Sequence, residues 1–82
     1  MIGVIAKLNV AEGKEAEFEK AMLALAGQVR ANEAGCQLYT LCKDPDGNYL
    51  MMELYDSAED LAAHGQTEHF KASGASRSRV LR

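Results

Sequence analysis

The chain carries two histidines, His64 and His69, in the stretch AHGQTEHF. Imidazole titrates near neutral pH, so either ring is a candidate general base. It is also a common metal ligand. On one continuous helix, however, a spacing of five turns two side chains about 140° apart, whereas chelating pairs sit at i and i+4. A shared metal is not expected, and Cys36 and Cys42 add no ligand pattern. Taken alone, His64 reads more simply as a polar residue at a helix edge than as a catalyst. Tyr39, Tyr49 and Tyr55 offer apolar rings with a hydroxyl at the tip, which suits either a pocket wall or ordinary strand packing. Glu53 stands among Met51, Met52, Leu54 and Tyr55, so it needs a polar partner if it is enclosed. A rim carboxylate or an ion pair between subunits is the simpler reading. Met22, Met51 and Met52 make an adaptable interior without naming a ligand. No Gly-rich phosphate loop, Ser-His-Asp grouping or telling pair of carboxylates is present.

The elements that must position these groups are legible in the periodicity. GVIAKLNV alternates, with Val4, Ala6, Leu8 and Val10 on one face, as in a strand packed on one side. The period then changes. Phe18, Met22, Leu25 and Val29 make one stripe of a helix, widened by Ala21 and Ala26. CQLYTLCKDPDGNYLMMELY reads as a hairpin with arms at 37–43 and 49–55, and DPDGN supplies the turn chemistry. In the second arm both faces are largely apolar, so both are expected to be covered, one by helices and one by a partner. DSAEDLAAHGQ then starts a helix, with Asp56–Glu59 or Ser57–Asp60 as the cap and Leu61 and Ala62 pointing inward. Gly65 breaks or kinks that helix, and Thr67 caps a further turn holding Phe70. The order strand, helix, strand, strand, helix is an α+β, ferredoxin-like split βαβ arrangement with an antiparallel sheet and a shortened or missing fourth strand.

Length and composition set the remaining bounds. Eighty-two residues, 48% hydrophobic and 26% charged, suit a single globular domain over 1–82 whose core is marginal without a partner. A formal net charge of −3 argues against nucleic-acid binding. The tail KASGASRSRVLR is locally basic, and a solvated end is the simpler reading than an anion-binding arm. Cys36 and Cys42 in one strand lie about 20 Å apart, well beyond the roughly 7 Å a disulfide spans. Both thiols are expected to be free and the protein cytoplasmic. MIGVIAKLNV is too short and wrongly flanked for a signal peptide, and no stretch has the length of a membrane span.

EAGCQLYTL, the following DP, and MMELYDSAEDLAAHGQTEHFKA together resemble the antibiotic biosynthesis monooxygenase family of dimeric α+β barrels. Glu53, Tyr55, Ser57, Leu61, His64, Thr67, His69 and Phe70 carry most of the likeness, and AHGQTEHFKA is similar to the quinol-oxidising branch. The resemblance implies a homodimer joined through the sheet face. It also implies oxygenation of a small quinol-like or polyphenolic aromatic by O₂ without flavin, haem or metal. It casts His64 as catalytic base, Tyr39, Met51, Tyr55 and Phe70 as substrate-binding walls and donors, Glu53 as an orienting carboxylate, and His69 as scaffold. Departures exist. Tyr55 stands where many members have Trp, and Met51 where some polyketide-acting members have Asn. Ala6, His64 and Gly74 occupy the positions that mark the haem-degrading branch, which disfavours haem chemistry. A non-catalytic, ligand-binding or stress-related dimer of the same fold is the alternative, and proton-transfer chemistry in the same pocket is a third reading.

Overall fold

A computed structural model describes residues 1–82. The element order is β1 (Ile2–Leu8), α1 (Glu15–Asn32), β2 (Cys36–Lys43), β3 (Tyr49–Tyr55), α2 (Ala58–His64), α3 (Glu68–Ala72) and α4 (Gly74–Val80). β3 is the central strand of a three-stranded antiparallel sheet with order β1-β3-β2. Alternation determines which side chains face the helices. Across β1, β3 and β2, the inner rows are Val4–Glu53–Tyr39 and Ala6–Met51–Leu41. The outer rows are Gly3–Leu54–Leu38, Ile5–Met52–Thr40 and Lys7–Leu50–Cys42.

One irregularity decides the side on which β2 places its chemistry. Cys36 pairs with Tyr55 and Leu38 with Leu54, so Gln37 is an extra residue in the ladder. Such a bulge changes the alternation by one step. Before it an even-numbered residue, Cys36, shares the row of Tyr55. After it the odd-numbered residues Tyr39 and Leu41 face inward, and Tyr39 is buried.

α1 lies across the inner face. Its predicted stripe is the buried one: Phe18, Met22, Leu25, Ala26 and Val29 join Tyr39, Tyr49, Met51 and Val80 in one core. The Phe18 and Tyr49 rings meet at 4.8 Å between centroids, and the Tyr49 hydroxyl donates to Glu19. In the β2–β3 turn, Gly47 takes the positive φ of 87°, and the Asp44 carboxylate accepts the Asp46 and Asn48 backbone N–H groups.

The second half of the chain differs from the sequence expectation at α2, and its tail, where the fourth strand was expected to be shortened or missing, is helical. α2 is capped by Ser57, whose side chain accepts from the Asp60 backbone N–H, so the second of the two anticipated caps forms. Yet Ala62 is exposed and Leu61 only half-buried, and His64 is the buried residue of this helix. With only seven residues, α2 lies against the sheet at its C-terminal end rather than along a full stripe. The tail does not form a strand in the sheet. Residues 74–80 are helical, and only Leu81 makes a single β-bridge, to Val10. Backbone bonds from Ala11 N–H to the Val80 carbonyl and from Arg82 N–H to the Asn9 carbonyl tie this end to the end of β1. Val80, fully buried against α1, explains the outcome, because the helix delivers an apolar anchor to the core.

Candidate active site

Between the inner face of the sheet and the helices lies a cavity of about 240 Å³. Ala6, Leu8 and Met22 line its apolar side together with Met51, Phe70 and Leu81. The polar groups that reach it are Tyr39, Glu53, His64 and Arg77. A mostly apolar concavity with a few convergent polar groups is the usual form of a small-molecule site.

His64 is placed there by the end of α2. Its ring packs against Phe70 at 4.8 Å, Tyr39 at 5.1 Å and Tyr55 at 5.7 Å between centroids. Nδ1 lies 3.0 Å from both carboxylate oxygens of Glu33, one residue past the end of α1. A carboxylate only accepts, so Nδ1 must carry the hydrogen. In the neutral ring the lone pair then sits on Nε2, which has no hydrogen-bond partner within the protein yet is not a sealed, unpaired atom. Glu33 also meets His69, with Nε2 to Oε2 at 2.5 Å. Gly65 ends α2 and Thr67 starts α3, its hydroxyl accepting from the Phe70 N–H. That break swings His69 back to the same carboxylate. The continuous-helix premise behind the 140° separation therefore does not hold. Both rings touch Glu33 directly, and no group of three or more His, Cys, Asp or Glu is set up to hold a metal ion.

The phenols around His64 are donors. Burial, followed by the Glu53 charge, pushes the Tyr39 hydroxyl well above the usual tyrosine range. Burial and then the hydrogen bond it donates to Glu53 at 2.6 Å do the same for Tyr55. Neither is a base near neutral pH. Burial also raises the Cys36 thiol, which keeps it protonated and poorly nucleophilic. Arg77 comes from α4. Its Nε donates to the Ser73 hydroxyl at 3.0 Å, one terminal nitrogen donates to the Phe70 carbonyl at 3.0 Å, and the guanidinium lies 4.1 Å over the Phe70 ring. Both acceptors are neutral, and no carboxylate pairs with it. The cavity thus holds a cation without a fixed counter-ion.

The sequence model of antibiotic biosynthesis monooxygenases matches residues 1–75. The chain belongs to the antibiotic biosynthesis monooxygenase family. Among solved structures, a Caulobacter crescentus protein bearing that family name is 46% identical, with a TM-score of 0.91, over 96% of this chain and 76% of that one. A Pseudomonas aeruginosa protein is 29% identical, with a TM-score of 0.85, over 98% and 82% of the two chains. A Nitrosomonas europaea protein of the same family name shares the fold, with a TM-score of 0.89 at 21% identity, over 96% and 77%. No curated protein matches the chain at a significant level.

Within this monooxygenase-family fold, the site residues anticipated from the sequence do not all have the same standing. His64, Tyr39, Met51, Glu53 and Phe70 converge on the one cavity. Tyr55 does not line it. It is fully buried behind His64 and reaches the cavity only through the hydrogen bond that holds Glu53. Two residues were not anticipated. Glu33, 31 positions before His64, ends α1 without any local pattern around it, and only helix packing brings it to the imidazoles. Arg77 belongs to the tail read as solvated. α4 instead turns it inward, half-buried over Phe70. The basic run was the available signal, but its charge does not say which side of a helix packs.

Proposed function

We propose that this chain is a monooxygenase that oxidises a small quinol-like or polyphenolic aromatic with O₂, using His64 as the base. The observation that carries the reading is the free Nε2 edge of His64, held by Glu33 at Nδ1, in a ring that lines an apolar cavity together with Tyr39, Met51 and Phe70. Nε2 takes the hydroxyl proton and leaves the electron pair on the substrate oxygen. Tyr39 and Arg77 supply donor groups for the anion. An electron-rich anion passes one electron to O₂, and the resulting radical pair forms a carbon–oxygen bond. Loss of water completes the turnover: a hydroquinone and O₂ give a hydroxyquinone and water. The substrate supplies every electron, so the balance needs no external reductant. Apolar walls shield the reactive pair from bulk water.

The same reading includes a homodimer joined through the outer face of the sheet. Ile5, Leu38 and Met52 stand on that face with 69%, 41% and 38% of their surface exposed. The unpaired Cys36 and Cys42 fit a reducing compartment such as the cytoplasm. No helix is long and apolar enough to cross a membrane.

The test is oxygen consumption by metal-free protein across a panel of hydroquinones and polyphenols. Wild type is expected to consume O₂ with at least one member, and His64→Ala to lose about 100-fold or more, the scale of a general base. Normal uptake in the variant would remove His64 from the reaction. Conversion of substrate at an undiminished rate without O₂ would replace oxygenation by proton transfer.

A further inference from the structure

Glu33 does more than orient one ring. It is one carboxylate in contact with two imidazoles, and the side chains of all three residues are nearly out of water, at 9%, 7% and 13% exposure for Glu33, His64 and His69. The two rings open to different spaces. His64 lines the inner cavity. His69 lines an open groove between α1 and the α3–α4 segment, beside Gln28, Asn32 and Ser73. The carboxylate lies between the two rings and lines neither space; it borders a third hollow, which His64 also lines. A single negative charge neutralises one imidazolium, and a second one in contact with it is left uncompensated in a poorly hydrated place.

We infer that His64, Glu33 and His69 form a proton-exchange unit, in which a substrate proton taken by His64 in the cavity is matched by a proton released from His69 into the outer groove. The inference rests on the reading of His64 as the base. At rest His69 holds the one excess proton, with Nε2–H on Glu33 and Nδ1–H on the groove side. His64 is neutral, with Nδ1–H on Glu33 and its lone pair on Nε2. When the substrate O–H bond breaks, its proton goes to Nε2 of His64 and its electron pair stays on oxygen. The new imidazolium takes over the charge of Glu33, and His69 gives its Nδ1 proton to water in the groove. The charge of the cluster is the same before and after, so the charge the step leaves in the interior is that of the substrate anion, which shares the cavity with Arg77, a cation without a paired carboxylate. Glu33 is a positioning residue in this scheme, and His69 is the exit.

The other charged and titratable groups near His64 are Glu53 and Tyr39 on the sheet, Tyr55 behind it, Cys36 and Asp60 at its outer side, and Arg77 from α4. Glu68 lies beside His69 in the groove. All of these are unchanged between the variants below, so differences report on the Glu33–His69 pair. The chain has only two histidines, so its imidazole Cε1–H signals in an NMR titration are two, and His69→Gln assigns them. In wild type, each signal is expected to show an inflection at the other's midpoint, as interacting sites do. In His69→Gln the competing cation is gone, and the His64 midpoint is expected to rise by about one pH unit. In Glu33→Gln the attraction is gone, and both midpoints are expected to fall by about as much. The acid limb of the oxygen-uptake profile should move in the same directions. A merely structural role for Glu33 and His69 does not produce shifts of opposite sign. Independent titrations in wild type, or a His64 midpoint unmoved by His69→Gln, would overturn the exchange unit even if the enzyme consumes oxygen. Coupled titrations without oxygen uptake from any quinol would keep the unit and overturn the monooxygenase reading.

Discussion

At the scale of single residues, the site sorts its ionisable groups by environment. His64 is the one imidazole in the cavity and its Nε2 has no partner within the protein, while the phenols around it are held protonated. This has a consequence that absorbance can read, because the chain has three tyrosines and no tryptophan. All three hydroxyls are raised. Tyr39 and Tyr55 are raised first by burial, and Tyr49 is pushed up to about 12, first by its hydrogen bond to Glu19 and then by burial. An unfolded tyrosine ionises near pH ~10. As pH rises, the unfolded chain therefore loses protons before the folded one does. Stability is intact below about pH 10 and falls above it. Tyrosinate absorbance is expected to appear in one cooperative step that coincides with loss of helical dichroism. A gradual rise near pH 10 in a still-folded protein would show that these hydroxyls are not held as the structure holds them. Residue identity made part of this visible in advance, since tyrosines among methionines and leucines read as pocket or packing. The partners were not visible. Glu33 and Arg77 reach the site through the packing of α1 and α4, and no spacing in the sequence encodes that approach.

At the scale of elements, two short breaks build the site. The bulge at Gln37 turns Tyr39 inward, and the stop at Gly65 folds α3 back so that Phe70 and His69 reach His64 and Glu33. The α1 stripe and the hairpin arms were legible because their periods run long enough to outweigh local noise. A one-residue bulge has no periodic signature, and the tail, rich in Gly and Ser, gives α4 little intrinsic propensity. Its helix is held by Val80 in the core and by Arg77 on Phe70. The start of α2 is set more tightly than its cap alone suggests. The Asp60 carboxylate accepts the Ser57 hydroxyl at 2.8 Å while the Asp60 N–H donates back to it. A Cβ placed on Gly35, at the entry to β2, would overlap that carboxylate. Gly35→Ala is thus expected to push Asp60 out of the cap and cost about 1 kcal/mol, a fall in Tm of roughly 4–8 °C for a domain of this size. In an Asp60→Ala background the same change should cost little, since the clash is gone. Thermal melts of the four proteins in the double-mutant cycle decide it. Additive losses would show that Gly35 is constrained by something other than the α2 cap.

At the scale of the whole molecule, one face of the sheet is committed and the other is open. The inner face carries the core and the cavity. The core itself is small: only eleven residues are buried in the isolated chain, one of them His64. A domain of this size is marginally stable on its own. The outer face has Ile5 and Met52 side by side in its middle row, with Leu38, Leu50 and Leu54 around them and Lys7 marking one rim. Covering this face with a second copy would bury apolar side chains on the side of the sheet opposite the cavity. It would also stiffen β3, which carries both Met51 and Glu53 of the cavity. The face-to-face dimer therefore predicts coupling between association and the site. Sedimentation at micromolar concentration is expected to give a dimer for wild type and a monomer for Ile5→Lys, because a buried unpaired ammonium in the middle row is strongly unfavourable. Tm should rise with protein concentration for wild type, as mass action requires, and be independent of it for the variant. Monomeric wild type with a concentration-independent Tm would reject the interface. A dimeric Ile5→Lys protein would move the interface to another face, and the stability of β3 would then have to come from the inner core alone.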